Sequence, residues 1–244
     1  IERVRIDRTT FEPRFQVIGC KLWSNEPAFE EELPSSGVTG ICGSGIIEVI
    51  AELYLAGVIK QDGTIAGDAA SRSNRIKADG RTFSYTLFDG EPAVTIHQND
   101  VRAIQLAKAA LYAGARLLME KLGVDKVDRI RLAGAFGAHI DVKYAMVLGL
   151  IPDCAIDAVS SAGNAAGTGA RIALLDKTSR QLIEEKTRNV EKIETAVEDR
   201  FQHHFVSAMA IPHDTDPFLK LQEEVTLPER KIASKKNKKR RRGR

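Results

Sequence analysis

The chain has 244 residues, of which 43 % are hydrophobic and 28 % charged; this supports a folded core and excludes an intrinsically disordered polypeptide. No apolar run approaches the roughly 18–20 residues of a membrane-spanning helix, no signal peptide opens the chain, and three scattered cysteines exclude a disulfide framework and a CxxC metal knuckle. The net charge of +3 belongs to the tail: eight of the last ten residues are Lys or Arg, and the remainder holds 28 basic against 33 acidic residues.

The chain opens at Ile1 inside IERVRID, which reads as a strand and suggests a segment of a longer protein. FQVIGCKLW reads as a second strand, followed by the acidic, proline-bounded loop NEPAFEEELPSS. From Ser44 the residues Ile46, Ile47, Ile50, Leu53 and Tyr54 recur at helical spacing. Ser44 is placed to cap this helix, with Glu48 in its first turn and Gly57 as its stop. Residues 58–97 carry the turn signals QDG, ADG and FDG between β-prone runs such as RTFSYTLF, which predicts strands and hairpins.

Asn99 or Asp100 then caps a long helix over about 100–122, ended by Gly123. Val101, Ile104, Ala107, Lys108, Leu111, Tyr112, Ala115 and Leu118 lie along one side of it, with a second apolar edge at Leu117 and Leu122. A strand over 129–133 leads into the turn LAGAFGAHID and a helix over about 141–148 that stops at Gly149. AIDAVSS reads as another strand, and AGNAAGTGARIALLDK as a small-residue turn opening a helix. This alternation predicts an α/β domain. A charged helix, a possible strand at VEKIET and the segment RFQHHFVSAMAIPHDTDPF follow, and the basic tail reads as disordered.

Three glycine junctions invite a functional reading. LAGAFG has neither the dinucleotide spacing G-x-G-x-x-G nor a P-loop GK[ST]. Bare backbone at Gly134 and Gly137 would still let an adenine or ribose lie against the chain before a helix start. In GICGSGII the amides of Gly43, Ser44 and Gly45 would suit an anion at a helix N-terminus. AGNAAGTGA is the third junction. Close packing of strand on helix explains the first as readily as a ligand does; a tight turn with Ser44 as N-cap is the plainer explanation of the second, and close helix packing that of the third.

The five histidines, at 97, 139, 203, 204 and 213, give no metal set: Asp199 and His203 would share a helix face but supply only two ligands. No serine or cysteine sits in a nucleophile elbow. The tail can make nonspecific phosphate contacts but lacks the aromatics of a sequence-reading surface.

Taken in order, GICGSGIIEVIAELYLAGVI, NDVRAIQLAKAALYAGARLLMEKLG, IRLAGAFGAHIDVKYAMVLGLIPD and SAGNAAGTGARIALL resemble the ferredoxin-containing reductive activators of corrinoid proteins. HHFVSAMAIPHDTDPF is similar to that family's ending, so the resemblance covers roughly residues 37–218. It implies the second lobe of an actin/hexokinase/Hsp70-like (ASKHA, ribonuclease H-like) ATPase fold. It also implies ATP with Mg²⁺ as cofactor and a 2Fe–2S ferredoxin domain elsewhere in the protein. Such activators drive electron transfer onto cob(II)alamin, restoring cob(I)alamin in a corrinoid protein or corrinoid-dependent methyltransferase.

By the same resemblance LAGAFG matches an adenosine-side turn usually written AGGFG. Gly134, Phe136 and Gly137 match, Ala135 stands where the family has glycine, and Gly43, Ser44 and Gly45 fall in the block before the interlobe helix. The resemblance places the phosphate-binding turns and the cluster cysteines upstream of Ile1, leaving no catalytic residue to assign here. A homodimer in the cytoplasm, with no membrane contact, is the expected setting. The expected divisions are 1–36 entering the lobe, 37–176 as the ATPase lobe, 177–228 as its α/β extension and 229–244 as the disordered basic tail. Two alternatives remain: a dimerisation or docking module that has lost nucleotide binding, favoured by Ala135 and the acidic loop around Glu30–Glu32, and a small-molecule kinase on the same fold.

Overall fold

The computed structural model describes residues 1–229; the disordered tail expected over 229–244 lies, apart from Glu229, outside the described residues. Three small sheets and nine α-helices make up the described fold. Strands β1 (Arg3–Ile6) and β2 (Pro13–Gln16) pair antiparallel, with Val4 opposite Phe15. The strand expected to run on through Ile18 and Cys20 stops at Gln16, because Gly19 takes a φ of +91° and Cys20 N–H turns back to the Val17 carbonyl at 3.0 Å. Helix α1 (Phe29–Glu32) is one acidic turn anchored by buried Phe29.

Helix α2 (Gly43–Leu55) forms the centre of the core. Ten of its thirteen residues are buried, so it is enclosed on nearly every side. Two of those ten are carboxylates. Glu48, fully buried, accepts from Val4 N–H at 3.0 Å and from the guanidiniums of Arg3 at 2.9 Å and Arg5 at 2.6 Å. One turn later Glu52 accepts from Ile6 N–H at 3.1 Å and from the Tyr144 hydroxyl. β2 binds one edge of β1; these glutamates bind N–H groups on the other. Glu48 is therefore not an acid helping a helix N-terminus, as its position suggests, but the partner of a strand edge. Ser44 does not cap α2 either. Cys42 holds the N-cap position without a side-chain cap, and the Ser44 Oγ lies 3.1 Å from the Cys42 Sγ.

An antiparallel meander follows: β3 (Ile76–Asp79), β4 (Thr82–Phe88) and β5 (Val94–Ile96). Helix α3 (Gln98–Leu122) starts two residues earlier than the sequence suggests. His97 is its N-cap, and Asp100 reaches back to the His97 N–H at 2.8 Å to close a capping box. Its inner face carries Val101, Gln105, Lys108, Ala109, Tyr112 and Leu117. Ala107, Leu111 and Leu118, expected on that face, are exposed.

Strand β6 (Ile130–Ala133) pairs in parallel with β7 (Val159–Gly163). Between them lie α4 (Ala135–His139) and α5 (Val142–Leu148), so the glycine turn expected at 134–137 is itself a short helix. Helices α6 (Ala165–Leu175) and α7 (Lys177–Arg188) follow β7, capped by the side chains of Asn164 and Asp176. The expected strand at VEKIET is absent among the described residues: Glu191, Lys192 and Glu194 are exposed, and only a 3₁₀ turn at Thr195–Val197 forms. The three glycine stops hold. At Gly57, Gly123 and Gly149, each at φ of +65 to +77°, two backbone hydrogen bonds close a Schellman motif, for example Gly57 N–H to the Tyr54 carbonyl and Val58 N–H to that of Leu53.

Helix α8 (Phe201–Ser207) packs along α3, and His204 lies 3.1 Å from the Glu120 carboxylate. Beyond it residues 209–216 form a strap pinned to one stripe of α3. Gln105 donates to the Met209 carbonyl at 2.7 Å, Lys108 to the carbonyls of Ala210 and Pro212, and Tyr112 to Asp216 at 2.5 Å. Lys108 is 1 % exposed, and burial pulls its pKa down to about 7. Helix α9 (Leu219–Glu224) is the last described helix, its Lys220 and Leu221 N–H groups held by Asp153 at 2.8 and 3.0 Å.

Within the strap, the His213 Nδ1 accepts from the N–H groups of Asp216 at 2.9 Å and Thr215 at 3.2 Å, which requires the neutral ring. Burial lowers its pKa to about 4, with Lys108 and Arg116 acting in the same direction and Asp216 and Asp214 opposing.

Glu48→Gln removes the charge that Arg3, Arg5 and Val4 N–H share. Breaking a buried pair in this way costs about 3 kcal/mol, so the urea midpoint should fall with the slope unchanged. For His213 the ordinary pKa of 6.5 applies to the unfolded chain and about 4 to the folded one. Between those values only the unfolded chain takes up the proton, so stability falls as pH drops from 6.5 towards 4. His213→Asn should flatten that limb in a series of urea melts across the range.

Candidate functional site

Each glycine junction forms where a strand or loop must turn into a helix. β6 ends at Ala133, and Gly134 takes φ 101° and ψ 166°, a conformation that L side chains rarely adopt, before α4 begins. A methyl built at Gly134 would meet no atom within 4 Å, so this backbone faces open space. At the end of β7, Gly163 also has a positive φ, +57°, and its carbonyl accepts the Gly134 N–H at 2.8 Å. The first and third junctions are thus tied together. Sequence spacing does not single out Gly163; a glycine closing a strand just ahead of an Asn cap is the signal that could have.

The second junction joins them through an aromatic ring. Phe136, on α4, is 51 % exposed, and its edge lies against Gly43 at the start of α2, where a methyl would fall 3.0 Å from the ring Cε2. Gly43 is exposed and Ser44 half-buried. Because no side chain caps α2, its first-turn N–H groups have no partner within the helix. The tertiary structure therefore brings Gly134, Phe136, Gly43 and Ser44 to one neighbourhood from segments some ninety residues apart in sequence.

Gly45 and Gly137 are different. A methyl on Gly45 would sit 2.6 Å from the Ile1 carbonyl oxygen, and one on Gly137 3.0 Å from the Leu132 Cβ. Both are glycines because protein packs against them: Ile1, just before β1, against α2 in one case, β6 against α4 in the other. Ala135 is the first residue of α4.

The other titratable groups lie elsewhere. Among the described residues no group of three or more His, Cys, Asp or Glu is arranged to hold a metal ion. Asp199 precedes α8, so it does not share a helix face with His203. His97 bonds to Asp79 at 2.8 Å. Cys20, Cys42 and Cys154 are free thiols, and burial raises the pKa of Cys154. A groove of about 710 Å³ runs along the β1–β2 hairpin between Arg5, Arg8, Arg14 and Glu12, and none of the junction residues lines it. No described helix is long and apolar enough to cross a membrane.

The family model described as the C-terminal domain of RACo, the ASKHA domain, matches residues 1–222. The corrinoid activation enzyme RamQ of Eubacterium limosum is 40 % identical, over 66 % of this chain and 29 % of its own length. A solved structure of a reductive activator for corrinoid, iron–sulfur protein superposes with a TM-score of 0.71 at 31 % identity, over 87 % of this chain and 32 % of that one. The chain thus spans about a third of the length of the relatives it matches.

The contrast between open and packed glycines is testable. Gly45→Ala drives a methyl into backbone and should cost roughly 1–3 kcal/mol of stability. Gly43→Ala meets only the movable Phe136 ring and should cost under about 1 kcal/mol, while shifting the ring's proton resonances. Urea melts and an aromatic NMR spectrum read both.

Proposed function

The chain belongs to the family of the RACo C-terminal ASKHA domain, and from that premise we propose that it forms one wall of the nucleotide cleft in an ATP-dependent reductive activator of a corrinoid protein. The observation that carries the reading is the convergence of Gly134, Phe136 and Gly43 around backbone that faces open space. A flat adenosine fits such a surface because no side chain at Gly134 holds it away. Phe136 offers a half-exposed ring for stacking, and the uncapped start of α2 offers N–H groups to an anionic ligand. Gly45 and Gly137 act on this reading by letting α2 and α4 sit close enough to their strands to fix the wall.

Bound ATP with Mg²⁺ would supply the free energy of phosphoryl transfer to water. The groups that hold its phosphates and metal belong, on this reading, to the remainder of the longer protein, as does the 2Fe–2S domain that delivers the electron. One electron converts cob(II)alamin in the partner corrinoid protein or methyltransferase to cob(I)alamin, and nucleotide binding favours the partner-bound state in which that uphill step proceeds. The chain's own contribution is to bind and orient the nucleoside. A homodimer in a reducing cytoplasm is part of the proposal, and the three free thiols suit such a compartment.

A second reading is a docking module without nucleotide. The exposed acids Glu30, Glu31 and Glu32 on α1 favour it.

Calorimetry and thermal melts of the full-length protein with ATP separate the two. ATP at a hundredfold excess over its dissociation constant should stabilise the wild type by about 2.7 kcal/mol and raise its melting temperature by several degrees. Gly134→Val and Phe136→Ala should each weaken ATP at least about tenfold, the latter with little loss of stability because its ring is half exposed. No rise with ATP would leave the docking module; a rise unaffected by either variant would place the nucleotide elsewhere.

A further inference from the structure

We propose that the outer face of the β3–β4–β5 meander is a binding site for a small zwitterion, an ammonium and a carboxylate joined by several bonds. A pocket of about 370 Å³ opens on this face, and its lining includes Lys77, Asp79, Ser84, Thr86, Asp89 and His97. The pleat explains its position. Tyr85 and its register partners Ile76 and Ile96 are buried in the core, so Ser84 and Thr86 lie on the opposite face. Across the sheet Ser84 stands opposite Lys77, and Thr86 opposite Thr95.

The outer side chains of an antiparallel meander are ordinarily wet. Here Ser84 is only 7 % exposed and Thr86 only 8 %, and among the described residues neither hydroxyl has a hydrogen-bond partner. Hydroxyls so enclosed are served by whatever fills the pocket they line. The charges of the lining are just as incomplete. Asp79 is engaged by the His97 ring at 2.8 Å. Lys77 and Asp89 carry opposite charges, yet among the described residues neither side chain has an ion pair or hydrogen bond, with each other or with any other group. An irregularity puts Asp89 there: the β4–β5 register shifts between Thr86 and Phe88, the Phe88 ring packs 5.8 Å from that of Phe15, and the next residue falls on the pocket.

A simple anion would satisfy Lys77 and leave Asp89 facing it, and a simple cation would do the reverse. A zwitterion satisfies both: its carboxylate takes Lys77 and the hydroxyls of Ser84 and Thr86, and its ammonium takes Asp89. Extended chain at about 3.3 Å per residue separates Ser84 from Asp89, so the two charges of the ligand are several bonds apart rather than on one α-amino acid backbone. None of Gly43, Gly134 and Phe136 lines this pocket, so loss of the ATP site leaves the inference unchanged.

Calorimetric titration of the full-length protein with ε-aminocaproate tests it. Binding should saturate, and caproate and hexylamine, with one charge each, should bind at least about tenfold more weakly. Lys77→Met and Asp89→Asn should each weaken ε-aminocaproate at least about tenfold and leave the thermal melt unchanged, because both side chains are exposed. Ser84→Ala should weaken it several-fold. Absence of binding, caproate binding as tightly as ε-aminocaproate, or full affinity in either charge variant would overturn the proposal. Should a variant lose stability, the wild type alone decides: the Thr86 and Thr95 methyl resonances must shift on adding ε-aminocaproate, and their indifference overturns the proposal equally.

Discussion

Two carboxylates inside an apolar helix set the geometry of this domain. Glu48 and Glu52 lie one turn apart on α2 and accept hydrogen bonds from alternate N–H groups of β1, as a neighbouring strand's carbonyls would. A charge removed from water is costly unless it is paired and fully hydrogen-bonded. Glu48 meets that condition through Arg3, Arg5 and Val4, and Glu52 through Ile6 and Tyr144. These partners belong to two other elements, Arg3 to Ile6 to β1 and Tyr144 to α5. β1, α2 and α5 are therefore locked in one arrangement, since a slip of any of them would strand a buried charge.

That lock carries through to the candidate site. α2 is held along its length, so its N-terminal turn at Gly43 has a fixed position. α5, held through Tyr144, follows α4 directly and so fixes where Phe136 emerges. The close approach of Gly45 to the Ile1 carbonyl and of Gly137 to Leu132 completes the placement, because at each point only the absence of a side chain allows the contact. The open glycines are thus supported by packed ones. At the opposite end of the chain, Lys108 and Tyr112 hold the strap against α3, and the uncharged His213 ring accepts the backbone of its own turn.

Much of this was legible in advance. Glycine stops at 57, 123 and 149 fall where expected because a left-handed residue ends a helix whatever surrounds it. The strands before Gly134 and near Gly163, and the helices after them, follow from local patterning for the same reason. What misled was solvent exposure. On α3 the residues Leu111 and Leu118 read as core and are exposed, while Gln105, outside the apolar stripe, is buried. Periodicity reveals that a helix has two faces, but which one meets protein depends on elements distant in sequence. Likewise Gly43, Gly45, Gly134 and Gly137 look alike in one dimension. Gly45 and Gly137 are bare to allow a tight packing contact, Gly43 lies under the edge of the Phe136 ring, and of the four Gly134 alone borders open space.

By itself the sequence determined the α/β alternation, the glycine junctions, the helix ends and the resemblance to a family, all set by short-range backbone preferences and by order along the chain. Only the tertiary structure decided that three junctions meet, that Phe136 rests on Gly43, and that Glu48 and Glu52 serve as a strand's partner. Those outcomes depend on contacts between residues roughly thirty to ninety apart, and a chain read locally holds no measure of such distances.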